Sequence, residues 1–154
     1  MPHERGRFAV PWIKKLARLW PVVGVVGPRQ VGKTTLMSKL LGISPVISLD
    51  YLEAREEAAN SPKAFLAKLP IPVILDEVQK APPLFDAIKL KVDQKRIPGS
   101  YYLTGSSAFS SKQDIRESLT GRIGLMSLHP MTLAEMSQRP FRPWTEAGSP
   151  PDSP

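Results

Sequence analysis

The apolar positions of this chain fall in short unbroken runs: PVVGVV at 21–26, PVISL at 45–49, IPVIL at 71–75 and SYYLT at 100–104, with a weaker fifth, GLMSLH, at 124–129. Unbroken runs suit strands buried on both faces, as in a parallel sheet; a half-solvated strand would alternate. Between the runs the pattern turns helical. In residues 7–20, Ile13, Leu16, Ala17 and Trp20 recur at helical spacing around Lys14, Lys15 and Arg18. This predicts an amphipathic helix from about Trp12, stopped by Pro21. A helix is expected over Lys33–Leu41, ending at Gly42. Asp50 opens DYLE, a capping-box-like start with Glu53 three residues on. Ser61-Pro62 reads as N-cap and N1. Pro82-Pro83 opens a helix carrying Leu84, Phe85, Ile88 and Leu90. Residues 113–119 form a short helix in this reading, and Thr132-Leu-Ala-Glu135 is another capping-box-like start.

The order is therefore a helix, about four β-α repeats, a last strand and a short helix. It predicts an α/β fold with a mainly parallel sheet of about five strands flanked by helices and joined by right-handed crossovers. Residues 1–20 are expected as an N-terminal amphipathic helix packed on the core, 21–137 as the core, and 138–154 as a proline-rich, disordered tail. Trp12, Trp20 and Phe85 are expected in the core rather than as base-stacking platforms.

Composition narrows the class. The chain has 154 residues, enough for one domain with a real core, and 42% of them are hydrophobic. No apolar run approaches the roughly 20 residues needed to span a bilayer, and the charged N-terminus has no apolar h-region behind it. There is no cysteine, so disulfides and thiolate chemistry are excluded and a cytoplasmic location is expected. The formal net charge of +7 suits a polyanionic partner, nucleic acid or a nucleoside phosphate, although no nucleic-acid-binding motif accompanies it. The plainer reading of the charge is a solvated basic face.

The chemistry concentrates at GPRQVGKT, residues 27–34, which fits G-x-x-x-x-G-K-[ST] and lies between an apolar run and a helical segment. In a P-loop the backbone around Gly27, Pro28, Arg29, Gln30, Val31 and Gly32 cradles phosphates with inward N–H groups. Lys33 reaches the β- and γ-phosphates, the Thr34 hydroxyl ligates Mg²⁺, and Thr35 touches the α-phosphate. VILDE, residues 73–77, delivers Asp76 to the C-terminal end of a strand, where ligands of open α/β sheets bind. Asp76 there holds Mg²⁺, and Glu77 polarises the attacking water. YYLTGSS, residues 101–107, offers Thr104, Ser106 and Ser107 to orient that water, with Ser106 favoured. Arg122, in SLTGR, either stabilises charge on the phosphoryl group, in its own chain or in a neighbouring subunit, or is a surface arginine. Asp50 is read first as a helix cap and second as reaching the metal region. His129 is read as structural, because no second ligand stands at metal spacing.

Taken together, GPRQVGKTTL, the LD at 49–50, ILDEVQKAPPLFDAIKLKVD (74–93), YLTGSS (102–107), ESLTGR (117–122) and LHPMTLAE (128–135) make the chain resemble the prokaryotic AAA-type ATPases of the GPRQVGKTT/DEVQ class. The likeness spans roughly residues 10–137. It implies an ATP-binding core of AAA or STAND-like type, with Gly27, Gly32, Lys33 and Thr34 as Walker A, Asp76 and Glu77 as Walker B, a sensor around Ser106, and Arg122 as the family's conspicuous arginine. Such proteins usually continue into a C-terminal domain, where this chain has its proline-rich tail.

The reading that follows is an ATPase that binds ATP and hydrolyses it with Mg²⁺, alone or with a protein partner or further copies of itself. A nucleotide-dependent interaction module with little turnover is the alternative, and a poorly folding remnant the third. Kinase activity is disfavoured because no acceptor pocket is legible. GTP is disfavoured because no guanine-reading N/T-K-x-D stretch is present.

Overall fold

The structure is a computed structural model and describes residues 7–106 and 117–132. Helix α1 (Val10–Leu19) carries Pro11 in its first turn, where a missing N–H costs nothing, and ends at an extended Trp20 as Pro21 requires. Strand β1 (Val22–Val26) is buried throughout. It leads into the glycine loop and then α2 (Lys33–Thr35), which continues as a π-helical stretch, Leu36–Leu40. The remaining elements are β2 (Val46–Ser48), α3 (Leu52–Asn60), α4 (Pro62–Lys68), β3 (Val73–Asp76), a 3-10 turn at Val78–Lys80, α5 (Pro83–Gln94), β4 (Tyr101–Gly105) and β5 (Ile123–Ser127).

The five strands form one sheet in the order β2-β3-β4-β1-β5, and every pairing is parallel. The fold class expected from the unbroken apolar runs is thus the one observed. Successive β1 side chains enter opposite cores, because side chains alternate across a strand. Val22 and Val26 pack with Phe65, Phe85 and Ile88 from α4 and α5. Val23 and Val25 pack with Ile13 of α1 and with Leu36 and Met37 behind the loop. The sheet is therefore covered on both faces, which fixes its strand ends relative to the loops.

Several expectations need correction. Asp50 does not cap α3: the N-cap is Tyr51, without a side-chain cap bond, and Asp50 instead forms an ion pair with Lys80. Trp12 lies on the solvent side of α1 with 61% exposure, where the Lys15 ammonium sits 5.6 Å from its ring centroid. Phe85 is buried as expected, but Leu90 turns outward from α5. Ser61 and Pro62 do occupy N-cap and N1 of α4, although the Ser61 hydroxyl makes no cap bond. Residues 117–119 are helical. The rest of the helix expected at 113–119, Ser107, residues 133–135 of the capping-box-like start and the tail at 138–154 lie outside the described residues.

Candidate functional site

Parallel strands bring their C-terminal ends to one side of a sheet, and here three of those ends meet. The register pairs Leu75 of β3 with Leu103 of β4, so Asp76 and Thr104 come next to each other. β4 also pairs with β1, setting Val26 opposite Gly105, and the Gly27 N–H donates to the Gly105 carbonyl at 3.3 Å. The glycine loop, Asp76 and Thr104 are therefore neighbours because the sheet order places β4 between β3 and β1.

Two glycines of the loop are sterically required. A Cβ at Gly27 would sit 2.2 Å from the Leu128 carbonyl oxygen, and Gly32 has φ +87°, in the left-handed region. Gln30 also has positive φ, 63°, an unusual conformation for a residue with a side chain. Such alternation of backbone hand turns successive N–H groups into a concave anion nest. Lys33 is buried and its ammonium donates to the carbonyls of Gly27 at 3.0 Å and Pro28 at 2.7 Å, so the cation lies against the loop itself.

Beside the loop is a cavity of about 320 Å³ lined by Arg29, Gln30, Gly32, Lys33, Thr34, Thr35, Asp50, Asp76 and Glu77. The Thr34 hydroxyl donates to Asp76 Oδ1 at 2.6 Å. The Thr104 hydroxyl donates to the same oxygen and accepts the Glu77 N–H at 3.1 Å. Thr34 and Asp76 thus offer a hydroxyl and a carboxylate at one point, hard oxygen donors of the kind Mg²⁺ takes together with phosphate oxygens and water. These residues fit that ion.

Glu77 has φ 56° and ψ 44°, a left-handed conformation that costs a side-chain-bearing residue energy and concentrates at functional sites. Its N–H is held by Thr104, and its carboxylate Oε2 accepts from the Gln79 amide at 2.5 Å. Among the described residues the Gln79 Oε1 is buried without a hydrogen-bond partner.

The structure brings together the loop residues, Thr34, Asp76 and Glu77. Ser106 lies just past β4, half-buried, while Thr104, two residues earlier, makes the bridge. Arg122 precedes β5, at the end of the sheet away from the loop. Its guanidinium donates to both carboxylate oxygens of Asp93, at 2.7 and 2.9 Å. That contact holds the exposed Asp93 carboxyl below the usual carboxylate range and raises Arg122. Arg122 is therefore not part of the cavity of its own chain. Sequence reasoning gave no role to Gln79, although it closes the DEVQ stretch, and missed the ion pair between Lys80 and Asp50, which lies on the cavity wall as its second reading allowed. Among the described residues no cluster of three His, Cys, Asp or Glu side chains is placed to hold a metal.

Comparison with known proteins agrees with this geometry. The AAA domain family model matches residues 20–137. An uncharacterised protein of Mycobacterium bovis and another of Mycobacterium tuberculosis are each 34% identical over 149 residues, which is 94% of this chain and 33% of theirs. This chain spans about a third of the length of those relatives. Among solved structures, a Walker-type ATPase of Pyrococcus abyssi shares the fold, with a TM-score of 0.53 at 17% identity, over 82% of this chain and 53% of that one. With a phosphate-cradling loop at the carboxyl ends of a five-stranded parallel sheet and a family model matching most of its length, this chain belongs to the AAA domain family and carries its nucleotide-binding P-loop ATPase core.

Proposed function

We propose that this chain binds ATP with Mg²⁺ and hydrolyses it to ADP and phosphate. The observation that carries the reading is the meeting of the Thr34 hydroxyl with Asp76 Oδ1 at 2.6 Å, at the mouth of the loop. In this reading the loop N–H groups from Gly27 to Thr35 hold the phosphates, and Lys33 leaves the loop carbonyls to reach the β- and γ-phosphates. Thr34 and Asp76 would hold Mg²⁺, which supplies neutralisation of phosphate charge. Glu77 accepts a proton from water as the water oxygen attacks the γ-phosphorus, and the bond to the bridging oxygen breaks. Thr104 fixes Asp76 and the Glu77 backbone, and Ser106 lies close enough along the chain to help orient the water. Since Arg122 stands at the far end of its own sheet, any charge it stabilises belongs to a neighbouring subunit's nucleotide.

Thermal unfolding with and without Mg-ATP tests the binding half. At a hundredfold excess over Kd, a ligand of the native state adds about 2.7 kcal/mol of apparent stability. A clear rise in Tm is expected for the parent and none for Lys33→Ala. An unchanged Tm in the parent at saturating Mg-ATP would reject the proposal.

A further inference from the structure

Gln79 closes the DEVQ stretch and is not among the residues lining the cavity beside the loop. It touches one that is. Gln79 sits on the 3-10 turn Val78–Lys80 that follows β3, and its amide nitrogen donates to Glu77 Oε2 at 2.5 Å. With the amide reversed, two oxygens would face each other at that separation, so hydrogen bonding decides which end meets the carboxylate. The other end, Oε1, is then buried without a hydrogen-bond partner among the described residues.

The spacing of this contact depends on the backbone. Side chains two residues apart do not face each other on a regular helix. Glu77 departs from that path, with φ 56° and ψ 44°, and meets Gln79 from there. The turn that carries Gln79 is itself well fixed. The Glu77 N–H donates to Thr104 Oγ1 at 3.1 Å, and the Glu77 carbonyl accepts the Lys80 N–H at 3.0 Å. Val78, between the two side chains, is fully buried in the core beneath α4 and α5. The Ala81 N–H donates to the Val78 carbonyl at 3.1 Å, and the Lys80 ammonium pairs with Asp50. A glutamate side chain has several rotatable bonds, and ordering them costs free energy. A general base is effective only when its oxygen is placed on the proton it takes. An amide on a fixed turn that holds one carboxylate oxygen lowers that cost and leaves the second oxygen for the proton.

We propose that Gln79 is a positioning residue for hydrolysis: its amide holds Glu77 Oε2, so that Glu77 Oε1 takes the proton of the attacking water. The proposal rests on the ATPase reading above and deepens it. Gln79 neither gains nor loses a proton; the water oxygen bonds to the γ-phosphorus, the bridging bond breaks, and the proton goes to Glu77. Because Gln79 acts only through Glu77, its removal slows hydrolysis without weakening the nucleotide.

Single-turnover hydrolysis of Mg-ATP, Kd for Mg-ATP and urea unfolding of the nucleotide-free protein, measured for the parent, Gln79→Met, Gln79→Glu, Glu77→Ala and Glu77→Ala/Gln79→Met, test it. Gln79→Met keeps the length of the side chain and removes the donor; Gln79→Glu keeps the shape and sets a second carboxylate in its place. Both should lower the hydrolysis rate by about tenfold or more, as misplacement of a catalytic group implies, and by less than Glu77→Ala does, with Kd unchanged. In the Glu77→Ala background, Gln79→Met should lower the rate no further. In urea, without nucleotide, Gln79→Met should be more destabilising in the parent than in Glu77→Ala. If Gln79→Met fails to fold, Gln79→Glu takes its place in every comparison. Gln79 variants that hydrolyse at the parental rate or faster, a rate loss matched by an equal loss of affinity, a rate loss that persists in Glu77→Ala, or equal effects on unfolding in the two backgrounds would overturn the proposal. A parent that binds Mg-ATP and never cleaves it rejects the hydrolysis reading and this proposal with it, whereas a parent that cleaves ATP while the Gln79 variants are unimpaired overturns the proposal and leaves that reading standing.

Discussion

Thr104 joins two functional residues through one hydroxyl: it donates to Asp76 Oδ1 and accepts the Glu77 N–H. Thr104→Val keeps the shape and removes both bonds. It leaves the Glu77 N–H without its partner beside a fully buried site, so equilibrium unfolding in urea should show a loss of about 1–3 kcal/mol. Thr104→Ser should restore most of it, and Ser106→Ala should have a much smaller effect. Equal effects of Thr104→Val and Ser106→Ala would contradict the bridging role. At this scale the sequence was legible where the chemistry lies in consecutive residues, as in GPRQVGKT and LDE. It was not legible where chemistry depends on strand register. Thr104 and Ser106 are equally polar and two positions apart, and only the pairing of Leu75 with Leu103 decides which one meets Asp76.

Among elements, unbroken apolar runs identified the strands because both faces of the sheet are covered, and Pro21, Pro62 and Pro83 marked helix ends through their own constraints. The same logic failed for Leu90, which helical spacing allows on either edge of the buried face of α5. It failed too for Asp50, where a capping pattern competed with an ion pair to Lys80 that only tertiary structure supplies. The Arg122–Asp93 pair links the end of α5 to the start of β5, and its pH dependence follows from Asp93. The folded-state pKa of Asp93 lies below its ordinary value, chiefly through the hydrogen bond from Arg122. Its contribution is therefore present above the unfolded carboxylate pKa of about 3.9 and is lost as pH falls through the lowered folded value. Comparing the parent with Asp93→Asn by chemical denaturation should show a small excess stability of the parent at neutral pH that shrinks below about pH 4. Because the pair is exposed, the excess should also fall with added salt. A difference that grew on acidification would contradict this assignment.

For the molecule as a whole, the parallel direction of the strands puts the loop, Asp76, Thr104 and Glu77 at one end of the sheet and Arg122 at the other. Within one copy Arg122 pairs with Asp93 and does not line the cavity beside the loop. If Arg122 serves a neighbour, specific ATPase activity should rise with protein concentration in the parent and stay flat in Arg122→Ala; identical profiles would leave Arg122 a fold-stabilising surface residue. The net charge of +7 favours association with polyphosphates over a broad surface, and among the described residues no helix is long and apolar enough to cross a membrane. The chain spans about a third of the length of its mycobacterial relatives. In the proposed function Glu77 couples ATP binding to hydrolysis. Single-turnover hydrolysis of Mg-ATP by the parent and by Glu77→Gln, with Kd measured for both, tests it most directly. Similar Kd values are expected, with a hydrolysis rate lowered by about a hundredfold or more in Glu77→Gln, as loss of a general base implies. Hydrolysis by Glu77→Gln at the parental rate, or bound ATP that the parent leaves intact for hours, would contradict it.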